Sequence, residues 1–86
     1  MNREHAATRR LYRPRPVEVS EAPGGVPRTI GRARVAAVRE EWLVEDRWWT
    51  ARPLRRRYFE LVTEDGANAT VFRELECGRW YLQRGA

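Results

Sequence analysis

The chain contains no lysine, one cysteine, one methionine and one histidine in 86 residues. A lone thiol, Cys77, closes no internal disulfide, and without any CxxC or HxxxH spacing the ligand set of a structural zinc is missing. No apolar stretch approaches the roughly 20 residues of a membrane-spanning helix. The N-terminal MNREHAATRR has no apolar run that would serve as a signal peptide. These absences predict a cytoplasmic protein with no membrane partner, no metal and no cofactor.

Without lysine, every basic side chain is an arginine: 17 face 12 carboxylates, a net charge of +5. Codon usage in a GC-rich genome accounts for this, as the abundant Ala, Gly, Pro and Val also suggest. Arginine equally suits phosphate, because its planar fork pairs with two oxygens at once and stacks on rings. The charge is uneven. Residues 1–39 hold nine Arg against three Glu, and residues 40–86 hold eight Arg against nine Asp or Glu. A basic arm beside a nearly neutral domain points to a polyanion, and solubility is the bland alternative.

A chain of this length makes one small domain, which buries only about 60–65% of its unfolded surface. Four Trp, three Tyr and two Phe supply the bulk, each ring burying on the order of 150–250 Å² when enclosed. Residues 1–13 are polar, Arg-rich and aperiodic, which predicts a disordered arm before a domain spanning 14–86. Pro14 and Pro16 hold the backbone extended and suit the start of an edge strand through Val17 and Val19. The cluster SEAPGGVPR predicts a reversal at Gly24 and Gly25 into a strand over 26–30.

The segment GRARVAAVREEWLVED reads two ways. Val35, Val38 and Trp42 stand at i, i+3 and i+7, a helical spacing; as a strand, Glu40 interrupts one face unless a bulge lies near 39–41. The strand-rich surroundings favour β. Farther on, Asp65 and Gly66 read as the central pair of a type I′ hairpin between RYFELVTE and ANATVFREL. That turn sets Phe59 across from Phe72, Arg57 from Glu74, Tyr58 from Arg73 and Val62 from Ala69. A second reversal at ECG, 76–78, brings Leu82 to Phe72 and Trp80 to Glu74. One face then carries Phe59, Leu61, Phe72, Trp80 and Leu82 as a core; the other carries Tyr58, Val62, Val71, Arg73 and Tyr81. The expected fold is all-β, five or six antiparallel strands rolled up or barrel-like.

The succession RPRPVEV, GRARVAAVREEWLVEDRWW, RRYFELVTEDG, TVFREL and GRWYL resembles the small C-terminal domain of ImuB proteins, over residues 12–83. Those proteins are catalytically inactive relatives of Y-family DNA polymerases in bacterial mutagenesis cassettes. The pattern is similar also to free-standing single-domain proteins of this length. The resemblance implies a non-enzymatic accessory role in DNA repair or translesion synthesis. The polymerase-like region is not in this chain, and it holds no Q-x-x-L-x-L-F clamp-binding motif, so neither clamp binding nor bypass follows.

Candidate site residues come from the interleaving of rings and arginines. Trp48 and Trp49 alternate faces if extended, which leaves one ring partly exposed; Trp49 is either a stacking platform for bases or a cap on the barrel. Arg57 is matched by Glu74 in the expected register, whereas Arg55 and Arg56 have no carboxylate there. Together with Arg13 and Arg15 they form the expected phosphate-binding set, the bland reading being a charged edge that blocks aggregation. His5 lies in the arm and Cys77 in a turn, and the adjacent pairs Glu40-Glu41 and Glu45-Asp46 point to opposite faces. No catalytic constellation emerges and no enzyme is predicted.

Two functions from different classes remain. One is nucleic-acid binding, single strands favoured, through Arg13, Arg15, Arg55, Arg56 and Trp49. The other is docking on a repair or replication protein through an edge strand or the Trp48-Trp49 patch. A self-associating subunit is a third. Salt separates the first two, since phosphate contacts release counterions and strand addition does not.

Overall fold

β-Branched and aromatic residues set off by Gly, Pro and Asp produce strands alone: in a computed structural model describing residues 13–46, 51 and 53–85, every regular element is a β-strand. These are β1 (Arg15–Pro16), β2 (Val19–Glu21), β3 (Pro27–Ile30), β4 (Ala33–Asp46), β5 (Leu54–Thr63), β6 (Asn68–Glu74) and β7 (Trp80–Gly85). They form one antiparallel sheet in the order β1-β7-β6-β5-β4-β3-β2, curled into a half-barrel. The expected arm, apart from Arg13, lies outside the described residues, as do Trp48 and Trp49.

Seven strands replace the expected five or six because the first one is shared. β1 pairs with β7 and β2 with β3, at opposite ends of the strand order. Only Val17 and Glu18 separate them. The Val17 N–H donates to the Trp80 carbonyl (3.1 Å), and the Glu18 carbonyl accepts from the Gly31 N–H (2.7 Å). A single extended segment thus serves both edges, which draws the sheet into its curl.

β4 is a strand of 14 residues, and its helix-like spacing has a β explanation. The register with β5 shifts between Val35 and Ala37 and again between Val38 and Glu40, so Ala36 and Arg39 are bulged. Each extra residue resets the alternation. Val35, Val38 and Glu41, three apart, therefore fall on one face opposite Thr63, Leu61 and Phe59. The expected bulge near 39–41 is present at Arg39; the one at Ala36 was not expected.

The β5–β6 hairpin departs from expectation by one residue. The Gly66 N–H donates to the Thr63 carbonyl (2.9 Å) and the Thr63 N–H to the Ala67 carbonyl (2.9 Å), which makes Glu64 and Asp65 the central pair. Gly66 follows with φ +88°, the left-handed residue of a three-residue loop. Facing positions are thus Tyr58 with Phe72, Phe59 with Val71 and Leu61 with Ala69. A slip of one residue moves a whole strand to the other face. Phe72 and Val71 exchange the faces expected of them, and Arg57 meets Arg73 instead of Glu74.

A second slip follows at β6–β7. The Glu74 N–H donates to the Arg79 carbonyl (2.8 Å) and the Gly78 N–H to the Glu74 carbonyl (2.6 Å). Val71 then faces Leu82, Phe72 faces Tyr81 and Arg73 faces Trp80. The two slips cancel for Trp80 and Leu82, which stay on the face of Phe59. The core inside the curl is Ile30, Phe59, Leu61, Ala69, Val71 and Trp80, with Val17, Val19, Val26, Ala33, Val35 and Leu82 packed against it. Phe59, Phe72 and Trp80 are all buried, as expected, but Phe72 is buried on the outer face.

The Arg57–Arg73 juxtaposition on the inner face would repel if left alone. Arg57 donates to Glu41 (2.6 Å) and to the Gly24 carbonyl (2.9 Å), and its guanidinium lies 4.8 Å from the centre of the Phe59 ring. Arg73 lies 3.9 Å from Glu21, whose carboxylate also accepts from the Trp80 indole N–H (2.9 Å). Two carboxylates thereby close the polar end of the core.

The Asp65 carboxylate accepts from the Thr63 hydroxyl and from the Ala67 N–H, and these bonds hold its pKa below the ordinary 3.8. A carboxylate with a depressed folded pKa contributes stability above the unfolded value and loses it as pH falls through the folded one. Asp65→Asn is therefore expected to flatten the loss of stability below about pH 4. Urea melts of both chains through the acid range check this; parallel acid limbs would contradict it.

Candidate interaction surface

The structure disperses the arginines that sequence grouped. Arg55 and Arg56 are neighbours in β5 and point to opposite faces, and each has carboxylate partners. Arg55 lies 3.5 Å from Glu45 and 3.7 Å from Glu76. Arg56 lies 3.2 Å from Glu74, bonds the Tyr58 hydroxyl (3.3 Å) and covers the Phe72 ring at 4.4 Å. The expectation that both lack a carboxylate fails for two reasons: the slip hands Glu74 from Arg57 to Arg56, and the β4–β5 ladder, outside the hairpin, sets Glu45 across from Arg55. Arg13 and Arg15 are exposed at the β1 side, with two strands between β1 and β5. Trp49 lies outside the described residues.

The described residues hold twelve of the 17 arginines and eleven of the 12 carboxylates, a balance of +1. The other five arginines and one glutamate, on residues 1–12, 47–50 and 52, carry +4. Among the described residues, no group of three or more His, Cys, Asp or Glu could hold a metal ion, and no helix is long and apolar enough to cross a membrane.

A row of rings crosses the outer face, one from each of four adjacent strands. Trp42 faces Tyr58, Tyr58 faces Phe72 and Phe72 faces Tyr81. The centroids are 5.2, 4.9 and 5.3 Å apart, with interplanar angles of 8°, 35° and 21°. Rings standing side by side on a sheet turn their faces to one another, so the inner members have little to offer a nucleobase. Base stacking needs a free face. Trp42, at the end of the row, is 39% exposed.

The strand that carries Trp42 has an open edge among the described residues. β3 covers β4 only at Ala33 and Arg34, and among the described residues no strand pairs with Val35 to Asp46 on the side away from β5. Beyond the Arg39 bulge, Glu40 to Asp46 pairs with β5 without interruption. Val38, Trp42 and Leu43 are 37%, 39% and 54% exposed along this edge. Edges with unpaired N–H and C=O groups are templates for another strand, and bulges and charges are the usual protection. β4 has Arg39 bulged and Glu40, Glu41, Glu45 and Asp46 in place, around an apolar centre of Trp42, Leu43 and Val44.

Sequence reasoning named Trp48, Trp49 and an unspecified edge strand, and missed Trp42, Tyr58 and Tyr81 as a row. A usable signal was present in length alone. The turn cluster ending near Gly25 and the Gly31-Arg32 reversal leave β3 four residues, too short to cover a neighbour of 14. Comparison with family models, with curated proteins and with solved structures finds no match.

Proposed function

We propose that this chain is a non-enzymatic interaction module that takes an extended segment of a partner protein along the open edge of β4. The observation that carries the reading is the run from Glu40 to Glu45, regular on the β5 side, without a neighbouring strand among the described residues on the other, and apolar at its centre. Strand addition draws affinity from main-chain hydrogen bonds and specificity from alternate side chains. Both are present in this run. The sequence resemblance supports a partner from the replication or repair machinery.

Extended peptides selected from a display library against the full chain test this. Bound peptide is expected to slow amide exchange within residues 40–46, to lose affinity with Leu43→Arg, and to bind almost independently of salt. Protection elsewhere on the chain would overturn the reading. The nucleic-acid reading keeps one observation in its favour, the exposed Arg13 and Arg15 without a carboxylate partner among the described residues. If it holds, neutralising about two phosphates through Arg13 and Arg15 gives a slope of log K against log salt of roughly −1.4 on single strands. Arg55→Ala with Arg56→Ala then leaves that slope nearly unchanged, since both are already matched by glutamates.

A further inference from the structure

We infer that the segment added to β4 carries an arginine or lysine opposite Glu40, two residues after an aromatic side chain opposite Trp42. This rests on the strand-addition reading and names the chemistry of its partner. Two independent features point to it. Glu40 faces Glu60 directly across the β4–β5 ladder, and like charges in that position destabilise unless a cation joins them. Neither carboxylate has an ion pair or hydrogen bond among the described residues, although Arg39 is adjacent in sequence and turns instead to the Asn68 side-chain oxygen (3.5 Å). The pair sits one row from the ring ladder without a direct ion pair of its own, Arg39 and Arg84 lining the same pocket as Glu60.

The second feature is Trp42. Tyr58 lies parallel against one face at 5.2 Å, and the ring is 39% exposed on a strand whose other side no described strand covers at this position. A ring on an added strand there continues the row that already runs through Tyr58, Phe72 and Tyr81. In an antiparallel addition, the residue two positions after that ring stands opposite Glu40 on the same face. Its cationic head lies within reach of Glu40 and Glu60, and its stem beside Trp42. On the inner face, the residue before the ring stands opposite Leu43 and is apolar. The resulting pattern is apolar, aromatic, any residue, then Arg or Lys.

The experiment uses the full chain and a labelled peptide, Thr-Val-Leu-Tyr-Thr-Arg-Thr, beside the same peptide with Glu in place of Arg. Two further versions of the Arg peptide are N-methylated at alternate residues, one for each parity. Fluorescence anisotropy is expected to show the Arg peptide binding about tenfold more tightly than the Glu peptide, the scale of one cross-strand ion pair with a cation–π contact. One N-methylated version should fail to bind. Glu40→Arg, a change at an exposed position that relieves the Glu40–Glu60 repulsion, should reverse the preference. Equal binding of Arg and Glu peptides, abolished by N-methylation, would overturn this inference and leave strand addition standing. Failure of both peptides at millimolar concentration would overturn strand addition itself, as would sedimentation of the full chain as a dimer whose β4 amides are already protected.

Discussion

Phe59→Ala is expected to abolish cooperative folding. Phe59 is wholly buried at the centre of the inner face, 5.7 Å from Trp80 in ring centroids and capped by the Arg57 guanidinium. Removing a ring from such a site costs about 3–5 kcal/mol, the lost transfer energy plus the cavity left behind. Proteins of this size hold roughly 0.05–0.15 kcal/mol per residue, so the loss takes most of the stability. It also strips Arg57 of the ring beneath it, next to Arg73. Circular dichroism during a thermal melt checks this. A sigmoidal transition displaced by less than about 1 kcal/mol would mean that the curl closes around other residues.

Phe72→Ala is expected to cost a similar amount, about 3–5 kcal/mol, for a different reason. Phe72 is 1% exposed, yet it belongs to the outer row between Tyr58 and Tyr81, under Arg56. Its loss breaks the row in the middle and leaves the Arg56–Glu74 pair unsupported. Milder changes separate the two layers. Phe59→Leu and Phe72→Leu lie on opposite faces and should add within about 0.3–0.5 kcal/mol, whereas Phe72→Leu with Tyr81→Leu should couple by more than about 0.5. Urea melts of the three single and two double variants measure this. Strong coupling between Phe59 and Phe72 would restore the register in which they face each other.

The hairpin shows why those two phenylalanines were hard to place from sequence. Thr-Glu-Asp-Gly-Ala announces a reversal under either reading, because Gly66 alone tolerates a positive φ without strain. Whether the loop has two residues or three is a matter of one hydrogen bond, Gly66 N–H to the Thr63 carbonyl. That bond decides the parity of every pair beyond it. The candidate site inherited the error at Arg56, whose expected freedom depended on which arginine met Glu74, while Arg55 is matched by Glu45 across the β4–β5 ladder. β4 was legible in kind and only partly in detail. Its helical spacing comes from bulged residues, which are invisible without the partner strand that defines them.

By itself the sequence determined where strands and reversals fall, since β-branched and aromatic runs and the Gly, Pro and Asp clusters act through local backbone preference. It also determined that the net positive charge is carried by residues 1–39, and that Phe59, Phe72 and Trp80 are too large to leave in water. Tertiary structure alone decided which face each ring occupies, which carboxylate each paired arginine meets, and that among the described residues β4 keeps an open edge beside Trp42. Pairing and register join residues far apart in the chain, and a change of one residue in a turn inverts them while leaving local preference unchanged.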